Sequence, residues 1–497
     1  MSLPCADALY DAAGTRALER YASETLGLAG YTLMQRAGQA MFEAMRKHWP
    51  QAQRILIVAG AGNNGGDGYV VARLAQRAGL RPRVVMLSDE TRLRGDGALA
   101  YQAMRAAGVA PDSGQDWFDG AEVVVDALLG TGLERAVEGR YAQAIARINA
   151  SGLPVLSVDV PSGIDARNGR VHGVAVRASV TVSLVSLKQG LVTGAAPAYT
   201  GHLEWHAIDL PATVFEAVAP AALCIDYAHL RALFAPRPRT AHKGEHGHVL
   251  VVGGAPGYGG AARMAAEAAA RVGAGLVSLA THPDHAASLT AQRPEIMCRG
   301  VDTAADLAPM LARATVVAIG PGLGQDAWGQ RLWAALRDCP QCQVVDADAL
   351  NLLAADPDQR EARVLTPHPG EAARLAGVAN RVIQDDRYAA AAELCARYGG
   401  VVLLKGAGAV IASGGEPTLV VRDGNPGMAS GGMGDVLTGV IAGLLAQGML
   451  PREAAALGAC VHAHAADLAA ADGERGLLAA DLMPFLRRAV NPLRDGA

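Results

Sequence analysis

Short apolar runs alternate with longer amphipathic stretches along nearly the whole chain. A polar, periodic stretch from Ala6 to Trp49 predicts helix. It is followed by a strand at 54–60, a helix at 69–78, a strand at 83–87 and a helix at 96–107. A strand at 122–126, a helix at 140–150 and a strand at 153–159 continue the alternation. Near-continuous apolar strands separated by helices predict a parallel sheet covered on both faces. Segments 179–186 and 202–208 read as edge strands. The pattern breaks between Pro211 and Pro220 and again at Pro236-Arg-Pro238, with one short helix, 227–234, between them. A boundary near 212–225 therefore separates a unit of residues 1–215 from one of 222–497. The second unit restarts with a strand at 248–253 and a helix at 260–272. Strands at 276–280, 316–319, 344–346, 364–365 and 401–404 follow, then helices at 434–446 and 452–471.

Composition narrows the class. Glycine is 59 of 497 residues, about 12% against a usual ~7%, and aromatics are 4%. That suits an α/β enzyme with many tight turns. A net charge of −4 argues against a nucleic-acid partner. No stretch approaches the ~18 apolar residues of a membrane span, and Met1 to Gly14 does not read as a signal peptide. Seven scattered cysteines suit reduced thiols, so a cytoplasmic location is expected. Cys339-Pro-Gln-Cys342 lacks a second pair, and reads as a helix-to-strand turn with two ordinary thiols. His242, His246 and His248 match no common zinc spacing and read as a loop entering a strand. His462 and His464 are two apart on a helix and cannot act as joint ligands.

Three strand ends in the first unit carry chemistry. Gly60-Ala-Gly62-Asn63-Asn64-Gly65-Gly66-Asp67-Gly68 joins a strand to a helix. Backbone N–H groups at a helix N-terminus bind phosphate, and glycines let the anion approach. The spacing is not that of the usual dinucleotide fingerprint, and the plainer alternative is a tight turn with Asn and Asp as caps. Asp126-Ala-Leu-Leu-Gly130-Thr131-Gly132 and Asp159-Val-Pro161-Ser162-Gly163-Ile164-Asp165 end two more strands. A parallel sheet collects ligands at such carboxyl ends. Asn, Asp and Ser oxygens suit a hard cation. In the second unit, Ser430-Gly431-Gly432-Met433-Gly434-Asp435 opens an apolar helix. This predicts an anion hole with a base beside it, although an Asp there also complements a helix dipole.

The first-unit strings resemble the epimerase domain of the NAD(P)H-hydrate repair enzymes over about the first 210 residues. The resemblance implies a Rossmann-like domain. It implies that Asn63, Asn64, Gly65, Gly66 and Asp67 contact the substrate phosphates, together with Gly130, Thr131, Gly132, Leu133, Glu134, Arg135 and Ala136. Asn64, Asp126 and Ser162 would hold K+, and Asp159 would be a catalytic residue on the hydrated ring. The Gly-Asp string resembles that of ribokinase-like kinases, and Met433 makes it closer to the hydrate dehydratases. Leu404-Lys405-Gly406-Ala407-Gly408-Ala409, Thr366-Pro-His368-Pro-Gly370-Glu371, Gly320-Pro-Gly322-Leu-Gly324 and Gly257-Tyr-Gly-Gly260-Ala261 agree, over about residues 225–490. The resemblance implies a ribokinase-like domain in which Asp435 is catalytic and Ala261, Gly322, His368 and Asp435 contact the substrate. Lys405, Gly406, Ala407, Gly408, Ala409, Gly431, Gly432 and Gly434 would bind ADP or ATP with Mg2+. A lone His after a strand is more often structural than catalytic.

The implied activity is repair of hydrated NADH and NADPH (NADHX and NADPHX). The first unit would epimerise the R and S hydrates, and the second would dehydrate the S form at the expense of a nucleotide. A homo-oligomer is expected. Two rivals make different predictions. A vitamin or sugar kinase fused to a non-catalytic nucleotide-binding domain would yield a stable phosphorylated product. A purely regulatory first unit would be inactive by itself.

Overall fold

The computed structural model describes residues 7–112, 114 and 116–491. Packing divides the chain into two compact units, Ala8–Ala222 and Leu223 onward. Among the described residues no helix is long and apolar enough to cross a membrane.

The first unit is built on six parallel strands. Their order is Arg81–Met86, Arg54–Ala59, Val123–Ala127, Val155–Val158, Val180–Leu184 and His202–His206. Successive side chains of a strand point to opposite faces. Ile55, Ile57, Val123 and Val125 therefore join one core with Met41, Met45 and Val70. Leu56, Val58 and Val124 join another with Ile145 and Ile148. Both faces are covered, which gives the expected three layers. Arg54–Ala59 pairs with Arg81–Met86 on one side and with Val123–Ala127 on the other. The chain thus reverses its direction of winding between Arg54–Ala59 and Val123–Ala127, and a crevice opens at the strands' carboxyl ends at such a reversal. Asp7–Tyr10 also pairs in parallel with Leu187–Lys188.

Several elements differ from the sequence expectation. The long N-terminal helix is a strand, Asp7–Tyr10, and two helices, Ala12–Leu26 and Gly30–His48, with Ala6 outside the described residues. Asp11 caps the first helix by accepting from Gly14 N at 2.7 Å, and Gly27 ends it at φ 67°. The segment expected as an edge strand near 180 is interior, with all five residues of Val180–Leu184 buried. A short parallel strand lacks the alternation that tells centre from edge. The helix expected from residue 69 begins at Asn63. Its glycines are tolerated because neighbours crowd them: a Cβ on Gly65 would lie 2.2 Å from Gly60 O.

The second unit has seven parallel strands in the order Met297–Gly300, Leu276–Thr281, His248–Val252, Val316–Ile319, Cys342–Val345, Arg363–Leu365 and Val401–Leu404. An antiparallel pair not expected from the sequence, Ala409–Ser413 and Thr418–Val421, extends it. Val249 and Val251 face one core and Leu250 and Val252 the other. Helix Met433–Ala446 packs closely on helix Gly259–Arg271. A Cβ on Gly439 would meet Ala265 O at 2.0 Å, and one on Gly443 would meet Val272 Cγ2 at 2.4 Å.

Candidate functional site

In the first unit, Gly60 lies against Leu128, where a Cβ would be 2.0 Å from the carbonyl oxygen. This close approach draws together the two loops at the winding reversal. Gly62 caps helix Asn63–Arg77 without a side chain, so the cap offers no oxygen to the helix's first N–H groups. Beside it opens a cavity of about 1310 Å³. Asn63, Asn64, Asp67, Gly130, Thr131, Gly132, Leu133, Glu134, Arg135 and Asp159 all line it, whereas Gly65, Gly66 and Ala136 do not. Gly66 packs instead under Met34, whose Cε would lie 2.6 Å from an added Cβ.

Two carboxylate centres stand at these strand ends; Asp159 lines the cavity, whereas Asp126 and Ser162 do not. Asp126 is fully buried. It accepts from Ser162 Oγ at 2.6 Å, Ser162 N at 2.9 Å, Ser157 Oγ at 2.9 Å and Leu128 N at 3.3 Å. It caps no helix. Burial pushes its carboxyl up, against these hydrogen bonds. Asn64 donates to Leu129 O at 3.2 Å, and Leu129 N donates to Ser162 Oγ at 2.9 Å. Asn64, Asp126 and Ser162 therefore form one oxygen-rich cluster.

Asp159 forms the other centre. It sits just past strand Val155–Val158 at φ 65°, a left-handed backbone that is costly for a residue with a Cβ. Its Oδ1 accepts from Leu184 N at 2.9 Å and from the ammonium of Lys188. Lys188 is completely buried, and it was not singled out in the sequence. Asp67 is pushed well above the usual carboxylate range by burial, then by the charges of Asp159 and Glu19. Burial also raises Glu19, which lines the same cavity. Four ionisable groups of both signs thus meet at one end of the crevice.

In the second unit, Gly432 at φ 91° starts helix Met433–Ala446 and places Asp435 in its first turn. Burial, then the charge of Asp346, pushes Asp435 up to about 7. Lys405 Nζ lies 2.7 Å from Asp346 Oδ1 and 3.9 Å from Glu371 Oε2. Thr438 Oγ1 donates to Asp346 Oδ2 at 2.9 Å. Burial works against the charge of Lys405, but Asp346 and Glu371 hold its pKa above the ordinary value. Gly434 faces this ammonium: an added Cβ would be 3.0 Å from Nζ. Gly431 stands open, and Ser430 Oγ is buried with no hydrogen-bond partner.

Gly322, at φ 58°, brings Ala261 beside it, 3.3 Å from an added Cβ. His368 caps helix Pro369–Ala376, accepting from Gly370 N at 2.9 Å, while Glu371 accepts from His368 N at 2.8 Å. Capping is a structural use, and the ring stays half exposed, as a substrate contact requires. Gly406, Ala407 and Gly408 form the turn from Lys405 into strand Ala409–Ser413. Asp346 was missed, and Glu371 was quoted only as the end of the His368 string, without a role of its own. Asp346 ends an expected strand, so the rule that singled out Asp126 could have found it.

The remaining polar clusters have structural partners. His248 contacts Ser278 Oγ at 2.8 Å and His242 pairs with Glu245. Cys339 and Cys342 flank the turn between helix Ala327–Leu336 and strand Cys342–Val345, and Cys339 Sγ accepts from Gln343 Nε2 at 3.3 Å. His48, His202 and Glu204 have metal-ligand chemistry, but Lys47 Nζ lies 2.7 Å from the same Glu204 oxygen. Partial burial opposes its charge, yet hydrogen bonds from Lys47 and His48 hold Glu204 down at about 2.

Residues 249–488 match the family model described as NAD(P)H-hydrate dehydratase, and residues 30–190 match that of the YjeF-related protein N-terminus. The chain is 48% identical to the bifunctional NAD(P)H-hydrate repair enzyme of Coxiella burnetii, covering 97% of this chain and 99% of that one. It is 44% identical to the enzyme of the same description from Escherichia coli K12, covering 95% and 92%. Among solved structures, a hypothetical protein from Streptococcus mutans covers 54% of this chain and 98% of its own. That match has a TM-score of 0.51 and 32% identity.

Proposed function

The chain belongs to the family of bifunctional NAD(P)H-hydrate repair enzymes, and from that premise we propose how its residues divide the work. The protein is an enzyme that repairs hydrated NADH and NADPH. Its first unit, Rossmann-like, epimerises the R and S hydrates. Its second unit, ribokinase-like, dehydrates the S hydrate in a nucleotide-dependent reaction.

In the first unit the substrate phosphates lie against the start of helix Asn63–Arg77 and the loop Gly130–Arg135, where backbone N–H groups and Arg135 offset their charge. Leaving of the C6 hydroxyl as water needs a proton, and the ring nitrogen's lone pair then forms an iminium. Asp67, whose carboxyl is pushed upward by burial and then by the charges of Asp159 and Glu19, lines the cavity and is the donor of that proton in this reading. Water returns on either face and surrenders a proton to the Asp159–Lys188 pair; that proton passes to solvent and Asp67 takes one back, which closes the cycle. Asn64, Asp126 and Ser162 would hold K+. The donors are all oxygen, and the buried Asp126 carboxylate is met in the cluster by neutral groups only. When bound, K+ would supply positive charge beside the phosphates.

In the second unit Asp435 takes the hydroxyl proton as the oxygen attacks the terminal phosphorus of ADP or ATP. The N–H groups of Gly431 to Gly434 then stabilise the phosphoryl oxygens. A pKa of about 7 suits a base working near neutrality. Phosphate then leaves C6 and a proton leaves C5, restoring the double bond. Lys405 and the Gly406–Gly408 turn hold the nucleotide. Asp346 and Glu371, the carboxylates beside Lys405, would lend hard oxygens to the Mg2+ that such phosphates carry. We further propose a homo-oligomer in the cytoplasm.

One observation carries this reading: a single chain holds both constellations and aligns along 97% of its length with a bifunctional relative. Its test is incubation of the pure protein with mixed epimers, with and without nucleotide, following reduced-cofactor absorbance. Complete recovery of reduced cofactor only with nucleotide is expected. Accumulation of a stable phosphorylated product would instead establish the kinase reading.

A further inference from the structure

Arg387 stands in a costly place. It is the first residue of helix Arg387–Tyr398 and is 1% exposed. Burial and the helix's positive end both work against a cation there. Burial lowers its pKa to about 10, which leaves it charged at neutral pH. Its side chain grips backbone carbonyls. Nη2 donates to Leu404 O and to Lys405 O, each at 3.1 Å, and Nη1 donates to Gln384 Oε1 at 3.3 Å. Those two carbonyls close strand Val401–Leu404 and open the turn that follows it. Gly406 takes φ 135°, and a Cβ there would lie 3.0 Å from Arg387 Nη1. The guanidinium therefore fills the space beneath the turn and sets the direction in which it leaves the strand.

We propose that Arg387 is a positioning residue for nucleotide binding: by gripping the carbonyls of Leu404 and Lys405 it aims the Lys405 side chain and the Gly406–Gly408 turn at the nucleotide. The proposal rests on the reading that this loop holds ADP or ATP. Lys405 then presents its ammonium between Asp346 and Glu371, and the turn presents its N–H groups. Loss of the grip leaves Asp435 and its helix in place, so nucleotide affinity is lost while the chemical step survives.

The test is steady-state dehydration by the full chain carrying Arg387→Met. Methionine keeps much of the side chain's length and removes its donors, so the Leu404 and Lys405 carbonyls lose the grip. The KM for ATP should rise about tenfold or more, with kcat at saturation within about threefold of wild type. Arg387→Lys, which restores a donor, should recover part of the loss, and epimerisation should be unchanged in both. Should Arg387→Met fail to fold, Arg387→Gln carries the same comparison. A folded Arg387→Met with the wild-type KM, or a loss entirely in kcat, overturns the proposal. Lys405→Met separates the two layers of argument. An unchanged KM there overturns the nucleotide-loop reading and the proposal with it. A raised KM there beside an unchanged one in Arg387→Met overturns the role of Arg387 alone.

Discussion

Asp435→Asn should stabilise the protein while disabling dehydration. The carboxyl is pushed from an ordinary 3.8 to about 7, with burial as the main cause and Asp346 second. An unfolded chain releases this proton near the ordinary value, and the folded one holds it to near neutrality. The folded state therefore binds more protons across that window, and stability is lost as pH rises through it. A difference of about three pKa units, at ~1.4 kcal/mol each, sets a ceiling of about 4 kcal/mol. Partial solvent access reduces the expectation to about 2 kcal/mol. Asparagine keeps the shape and removes the charge. Urea unfolding without nucleotide should show equal stability of mutant and wild type near pH 4. The mutant's advantage should grow towards pH 7 and stay constant above it. Dehydration should fall about 10²–10⁴-fold, with epimerisation intact. A mutant with no stability gain at pH 8 would refute the placement of a raised carboxyl here. Dehydration within about threefold of wild type would remove Asp435 as the base.

Asp159→Ala should block epimerisation, so that excess nucleotide converts one hydrate epimer and leaves the other to its spontaneous rate. A folded mutant that converts both at the wild-type rate would take Asp159 out of the mechanism. Asp126→Asn should remove any activation of epimerisation by K+ over Na+ while dehydration is unaffected; retained K+ activation would place the ion elsewhere. Residues 1–222 and 223–497, expressed apart, should each be soluble and keep one activity, because each has its own sheet and cores. Failure of both halves alongside a soluble full chain would show that they fold only together.

Much of the fold was readable because buried parallel strands are short apolar runs, and helices announce themselves by period. The first helices were not separable by that signal: Ala12–Leu26 and Gly30–His48 share a period, and only Gly27 in its left-handed conformation divides them. The hairpin Ala409–Ser413 to Thr418–Val421 escaped because its first strand follows a glycine turn that already had a functional reading. Site residues at strand ends were legible, since topology alone makes those positions chemical. Lys188 was not, because it lies 29 residues beyond its partner Asp159 in a two-residue strand. A lysine inside a stretch that is buried throughout, 180–192, was the available clue. Arg387 was hidden for a related reason: the carbonyls it grips, those of Leu404 and Lys405, belong to the main chain and leave no trace in side-chain identity.

The contact between helices Met433–Ala446 and Gly259–Arg271 has a mechanical consequence. With Gly439 and Gly443 letting the backbones nearly touch, no slack remains for the Asp435 helix to rock or slide. The base is bolted to the frame, and reacting groups must be carried to it by the loops around. Acceptance of a differently shaped substrate would then be gained by changing those loops, while even a single methyl group added at Gly439 would shift the bolt itself.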